Sequence, residues 1–135
     1  KDCGITENNE LLKILANRPF EELDYLAIEM IACYGMAVGK SVFDTCVWIG
    51  RFVQFVNVPH QFIYRKDEKI CLCNSMKAKD ANIRQALIDL YSGNDKAIGN
   101  KKNPGPLYGI KADLWAALAV AVTFTKNHAS VACEK

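Results

Sequence analysis

The chain has 135 residues, of which 50% are hydrophobic and 24% are charged; this balance is typical of one folded domain and excludes a disordered chain. Its formal net charge of +2 is too small to indicate nucleic-acid binding by itself. The most apolar stretch, residues 114–124, falls short of the roughly 20 residues that cross a bilayer, and no signal peptide is evident. The sequence therefore predicts a cytoplasmic protein without a membrane span.

The six cysteines leave open either the disulfide framework of a small secreted protein or a set of reduced thiols. Cys33 and Cys46 lie in or beside apolar segments, where free cysteine behaves as a small hydrophobe. Cys71 and Cys73 have C-x-C spacing, unlike the C-x-x-C of zinc sites, and no paired histidines lie nearby. We therefore favour reduced, structural thiols.

The N-terminal third predicts a helix, a strand and a loop, in that order. Asn8 or Asn9 is a suitable cap for a short helix that ends before a proline. The apolar run at 26–31, which Glu29 interrupts, predicts a strand over residues 23–31 that is buried on both faces, and residues 3–5 predict the tail of an earlier strand. The glycine-containing segment 34–40 predicts a loop at the carboxyl end of the strand at 23–31.

The middle of the chain predicts a long helix, a second strand and a helical turn. Ser41 is a suitable N-cap for a helix that continues to about residue 56. Its apolar positions recur at helical spacing, namely Val42, Cys46, Ile49, Val53 and Val56. Residues 60–65 then predict a strand, and residues 67–73 a short helical turn.

The C-terminal half predicts two helices separated by a long loop. Residues 80–91 predict an amphipathic helix, with an apolar face formed by Ile83, Ala86, Leu87 and Leu90. Residues 92–109 contain four glycines and two prolines without a periodic pattern, which predicts a long flexible loop that is functional or disordered rather than inert. The last helix is expected from about residue 111 to 126.

The order strand, helix, strand, helix, helix is typical of an α/β layer with a parallel sheet. Two strands are too few for a sheet that stands alone. We therefore expect further N-terminal strands to precede Lys1.

Two carboxylates lie in otherwise apolar elements. Glu29 interrupts the strand at 23–31, where an unpaired buried carboxylate would be costly, near the carboxyl end at which open α/β sheets place ligands. Asp113 lies near the start of the last helix, which is expected to approach the sheet closely through small side chains at Ala112, Ala116, Ala117, Ala119 and Ala121. Facing carboxylates are tolerable mainly around a cation, and hard oxygen ligands select magnesium or manganese. The pattern predicts a divalent-metal site at Glu29 and Asp113.

At this point the chain resembles the RuvC-like Holliday-junction resolvases of phages and prophages, a family of the ribonuclease-H-like superfamily. The resemblance covers residues 25–124 and is carried by the segments AIEM (27–30), YGM (34–36), VGK (38–40), DTCVWIGRF (44–52), KAKDANIRQAL (77–87) and the stretch 108–122. These runs are long enough to be specific at family level.

The resemblance implies a single ribonuclease-H-like domain over residues 1–135, with a central mixed sheet flanked by helices. Glu29 matches the family's carboxylate on the fourth strand and Asp113 the first acid of its last-helix motif, so both are expected to be catalytic and metal-binding. A further acid of many bacterial members is Ala116 here, which speaks against a four-carboxylate site. The first-strand acid is expected before Lys1, and residues 1–135 without it are expected to bind metal weakly and to be inactive.

Several side chains are candidates for DNA contacts, because basic groups near the metal-bearing edge would hold the phosphate backbone. Lys79 and Arg84 are the strongest of them, since they lie near a helix N-terminus that favours anions. A merely solvated surface remains the alternative. Trp48 and Trp115 are interpreted as core residues. The full set is Tyr34, Lys40, Arg51, Lys77, Lys79, Arg84, Lys101, Lys102 and Lys111.

The resemblance implies a magnesium- or manganese-dependent endodeoxyribonuclease that cuts Holliday junctions or other branched DNA in the cytoplasm of a bacterial host. Two symmetric cuts imply a homodimer, whose interface the helix 41–56 could supply, although covering the sheet is an equal alternative. A non-catalytic DNA-binding or structural protein of the same fold is the competing hypothesis.

Overall fold

The computed structural model describes residues 3–17 and 25–132, with side chains described through residue 129. The chain forms two compact units, Lys1–Arg65 and Lys66–Lys135. The elements are α1 (Asn8–Ala16), β1 (Leu26–Met30), α2 (Lys40–Val56), β2 (His60–Tyr64), α3 (Arg65–Cys73), α4 (Asp80–Leu90), α5 (Asn94–Ala97) and α6 (Leu114–Ala132). The predicted mixed α/β class is confirmed, and the single-domain assignment stays a prediction.

The first unit contains a β1–α2–β2 crossover. β1 and β2 pair in parallel, with Leu26 opposite His60 and Met30 opposite Tyr64, and a hydrogen bond from Leu26 N to Pro59 O (2.9 Å) lies at the start of the pair. The left-handed Asn57 (φ 50°) ends α2, a conformation that asparagine tolerates better than most residues. The parallel pairing predicted from the element order is confirmed for these two strands.

The helix α2 presents the expected face to the interior. Ile49 and Val56 are buried, while Val42, Cys46 and Val53 are half-buried. The N-cap is Gly39 rather than Ser41, and the N-cap of α1 is Glu7 rather than an asparagine.

The first strand departs from its prediction. Leu26, Ala27, Ile28 and Met30 are only half-buried and Glu29 is exposed, so the expectation of a strand buried on both faces is wrong. β1 pairs with β2 alone among the described strands, which leaves it less covered than the centre of a larger sheet. Residues 3–7 are exposed and form no strand, so the predicted tail of an earlier strand at 3–5 is also wrong. The predicted strand positions 23 and 24 lie outside the described residues.

The second unit is built on two apolar clusters that share Trp115 and Leu118. One cluster centres on Ile83, Leu87 and Ala119, and the other on Ile88, Ala97 and Leu107. The apolar face of α4 therefore differs from the predicted one, because Ile88 is buried at 3% exposure whereas Leu90 is exposed.

The segment 92–109 is built into this core, and its prediction as a loop without secondary structure is wrong. It contains the short helix α5 and an isolated antiparallel bridge between Gly99 and Pro104. Hydrogen bonds run from Gly105 N to Ile98 O (2.9 Å) and from Leu107 N to Ala97 O (2.8 Å). Since Ala97 and Leu107 are buried, packing also holds the segment on both sides of this bridge.

The last helix begins later and continues further than predicted, from Leu114 to Ala132. Ala112 adopts a left-handed conformation (φ 43°) just before it. Ala119 is buried and Ala116 half-buried, but Ala112, Ala117 and Ala121 are exposed. The predicted close approach through all five alanines is therefore wrong, because only part of this set lies on the packed face.

The described cysteines, Cys3, Cys33, Cys46, Cys71 and Cys73, are free, and their redox state stays a prediction. No helix of the described ranges is both long and apolar enough to cross a membrane.

Candidate functional site

Glu29 lies on β1, one residue from the strand's carboxyl end, and pairs in register with Ile63 of β2. Side chains alternate along a strand, so Glu29 projects to the face opposite Ile28 and Met30. Those two neighbours are half-buried and Glu29 is exposed. The carboxylate is thus accessible to a ligand and bears little of the desolvation cost that the sequence suggested.

Asp113 is exposed and immediately precedes α6. Its carbonyl oxygen accepts a hydrogen bond from Ala117 N (3.1 Å), which continues the helical pattern back to this residue. The prediction of Asp113 within the helix is therefore corrected to a position at its edge. A carboxylate at this end of a helix is favoured by the helix dipole.

Glu29 belongs to the first unit and Asp113 to the second, and their pairing around a metal stays a prediction. Within residues 3–17 and 25–132, no group of three or more His, Cys, Asp or Glu side chains is arranged to hold a metal ion. The hard oxygen donors of Glu29 and Asp113 fit magnesium or manganese in chemical type.

Lys101 and Lys102 are exposed at the tip of a tight turn. Asn100 Oδ1 accepts hydrogen bonds from Lys102 N (2.9 Å) and Asn103 N (3.0 Å), and Asn100 N donates to Asn103 O (3.0 Å). A Cβ on Gly99 would collide with the carbonyl oxygen of Asn103, so the turn depends on glycine there. These two lysines are held on an ordered turn, where each can meet a phosphate without first ordering the backbone.

The start of α4 carries the second basic group. Lys79 is its N-cap residue, and Lys79 N donates to Asn82 Oδ1 (2.8 Å). Lys77 and Lys79 are exposed. Because two exposed amines lie at a helix N-terminus, where the helix dipole favours negative charge, this terminus is suited to an anion.

The remaining candidates are distributed over both units. Tyr34 is 66% exposed and left-handed (φ 43°), in a turn completed by Gly35. Lys40 forms an exposed ion pair with Asp44, so contact with a phosphate would compete with that carboxylate. Arg51 lies over the Trp48 ring at 4.1 Å, and Lys111 is exposed before α6.

A pocket of about 550 Å³ opens on the second unit beside α4. Arg84 lies over the Trp115 ring, with 4.9 Å between Cζ and the ring centroid. Trp115 is half-buried and packs against both apolar clusters, which confirms the interpretation of its side chain as part of the core. The pocket is lined by Asp80, Ala81, Arg84, Gln85, Ile88, Asn94, Ala112 and Trp115.

Sequence reasoning missed one buried carboxylate. Glu68 of α3 is completely buried, whereas Glu29 is exposed. The signal was available, because Glu68 lies one turn before Leu72, which packs against the Ile83 cluster, and residues four apart share a helix face. The sequence predicts only a short helical turn at 67–73, whereas α3 extends over Arg65–Cys73 and has a buried face.

Comparison with known proteins gave no match to a family model, to a curated protein or to a solved structure.

Proposed function

We propose that the protein is a metal-dependent endodeoxyribonuclease of the ribonuclease-H-like, junction-resolving kind. The observation that carries the proposal is the exposed Glu29 near the carboxyl end of a parallel strand, within segments that resemble those resolvases. Ligands of open α/β sheets bind at this end of the strands. The carboxylate therefore combines the right chemistry with access to solvent.

In this proposal Glu29 and Asp113 supply carboxylate oxygens to a divalent ion. Bound magnesium or manganese would activate water and stabilise the leaving oxygen during phosphodiester hydrolysis. Glu29 needs no rearrangement of the apolar core to bind an ion, because it is already exposed. Asp113 is likewise exposed, at the edge of α6.

The basic side chains position DNA rather than read its sequence, since phosphate contacts carry no base information. Lys101 and Lys102 on the ordered turn, with Lys77 and Lys79 at the start of α4, provide four exposed cations. Selectivity for branched DNA would then come from the spacing of phosphates that these groups can reach together.

A homodimer would place two such sites on one junction. The solvent side of α2 carries Phe43 (60% exposed), Val47 (62%) and Phe55 (40%). Apolar side chains grouped on one helix face suit burial against a second copy. This face is the proposed interface.

The test uses the complete protein, a synthetic four-way junction and a linear duplex of the same sequence, each with magnesium or manganese. We expect cleavage of the junction, and a loss of about a hundredfold or more in Glu29→Gln, because the amide keeps the shape but loses the charge. Junction binding should be nearly unchanged. Glu10→Gln is the matched control, since Glu10 is an exposed glutamate of α1.

Retention of more than about a tenth of the wild-type rate by Glu29→Gln would contradict its role. Equal cleavage of junction and duplex would contradict structure selectivity. If the protein binds the junction but neither cleaves it nor binds manganese, the non-catalytic alternative is established. Ala116, at the position of a family acid, favours that alternative.

A further inference from the structure

The pocket beside α4 combines a planar cation with a fixed aromatic ring. Trp115 is held by packing against both apolar clusters of the second unit, and the Arg84 guanidinium lies over its ring at 4.9 Å. Arg84 is exposed and lines the pocket. A planar ligand can therefore stack on the outer face of the guanidinium, whose inner face lies on the Trp115 ring.

The pocket also has polar groups suited to the edge of a heterocycle. Gln85 and Asn94 both line it, and each side-chain amide can donate and accept hydrogen bonds. Gln85 Nε2 donates to Asp89 Oδ1 (2.8 Å), which fixes the orientation of this amide. Amides of this kind form paired hydrogen bonds with base edges.

The size of the pocket agrees with an organic ligand rather than a single ion. Its volume of about 550 Å³ lies within the range of small-molecule pockets, about 300–1,000 Å³. Lys79, at the N-terminus of the same helix, is exposed and could hold a phosphate attached to such a ligand.

We propose that this pocket binds an unpaired nucleobase, stacked on Arg84, with the attached phosphate near Lys79. Arg84 is thereby assigned a stacking role instead of the phosphate contact predicted from the sequence. The proposal deepens the proposed function, because opened branched DNA offers unpaired bases, but base binding can be measured whether or not the protein cuts DNA. A free nucleotide has the same chemistry, and the test separates the two sources.

The experiment measures how tightly the complete protein binds three probes without divalent metal. The probes are a strand of eight thymidine nucleotides, the same strand with every base removed, and thymidine monophosphate. Arg84→Lys is the decisive variant, since lysine keeps the charge but lacks the planar face. Lys79→Ala is the matched control for phosphate binding. Circular dichroism verifies that each variant is folded, which is expected because Arg84 and Lys79 are exposed.

We expect wild-type protein to bind the base-bearing strand about fivefold or more tightly than the abasic strand, the lower end of what stacking of one base contributes. This preference for the base-bearing strand should fall below about twofold in Arg84→Lys. It should persist in Lys79→Ala, which should weaken the binding of both strands by the same factor. The monophosphate should bind more weakly than the strand if the source is DNA. Tighter binding of the monophosphate would assign the pocket to a free nucleotide.

Equal binding of both strands by wild-type protein, or no binding of either, would overturn the proposal. An undiminished preference in Arg84→Lys would also overturn it, because charge alone would then account for binding. A failure of junction cleavage leaves these results unaffected, so the two proposals fail separately.

Discussion

Replacing Gly105 with alanine should destabilise the second unit, because the backbone at 92–109 packs too closely to accept a side chain there. A Cβ at Gly105 would fall far inside contact distance of the carbonyl oxygens of Lys96 and Ala97, below the 3.0 Å that real Cβ contacts essentially always exceed. Both contacts are with backbone, which cannot rotate away as a side chain would. The segment must therefore shift.

The magnitude follows from the contacts that such a shift disturbs. Overpacking alone costs about 1–3 kcal/mol. The hydrogen bonds Gly105 N to Ile98 O (2.9 Å) and Leu107 N to Ala97 O (2.8 Å) flank the substituted position, and each contributes about 1 kcal/mol. If the shift breaks both bonds, we expect a loss of about 3–5 kcal/mol in the free energy of unfolding, which lowers Tm by roughly 10–20 °C.

Chemical and thermal unfolding followed by circular dichroism measure this loss. Gly50→Ala is the control, because Gly50 is an exposed residue of α2 with nothing within 4 Å of an added Cβ, and alanine in a helix interior gains about 0.5–1 kcal/mol over glycine. If Gly105→Ala unfolds within about 0.5 kcal/mol of the wild type, the segment is not packed as described.

Three further substitutions test other parts of the molecule. Leu87→Ala should cost about 2–5 kcal/mol in the free energy of unfolding, because Leu87 is completely buried; Leu90→Ala, at an exposed position of the same helix, should cost less than about 1 kcal/mol, and equal losses would contradict the assigned core face. Asp113→Asn should remove most manganese binding, measured by titration calorimetry, without unfolding the chain, whereas Asp95→Asn should not; unchanged binding would exclude Asp113 as a ligand. For junction DNA, Lys79→Ala should make the dependence of the log binding constant on log salt less steep, by about 1 in the magnitude of the slope. An unchanged slope would show that this lysine makes no phosphate contact.

Periodic elements could be predicted from the sequence, because their burial repeats at a fixed interval. The spacing of Val42, Ile49 and Val56 identified the inner face of α2, and Ile49 and Val56 are buried. The strand predicted at residues 60–65, after the break at Pro59, is observed at His60–Tyr64. Periodicity alone did not identify the buried face of α4, where Ile88 rather than Leu90 is buried. Ile88 is buried because it packs in a cluster with Ala97 and Leu107.

The order in the segment 92–109 could not be predicted, because backbone contacts hold it. Gly99 and Gly105 admit neighbouring carbonyl groups that any side chain would exclude, and such contacts leave no periodic signal. The start of α6 was missed for a related reason, since it depends on the left-handed turn at Ala112. The glycines and prolines of this segment predict an irregular backbone, but they do not indicate that this backbone packs against the core.

Glu29 and Glu68 differ in burial, and this difference decides which of them is suited to bind a metal ion. Glu29 is a carboxylate in an apolar strand, yet it is exposed on β1. Glu68, in a helix rich in charge, is completely buried. A carboxylate that binds a metal must be reached by the ion and by the phosphate, so exposure at the carboxyl end of a strand favours Glu29 as a ligand more than burial would. A completely buried carboxylate is instead constrained by the surrounding packing, because its charge must be compensated or neutralised there. Glu29 is therefore proposed as a ligand because it is an accessible donor at the carboxyl end of a strand, and not because it is buried at a cost in the core.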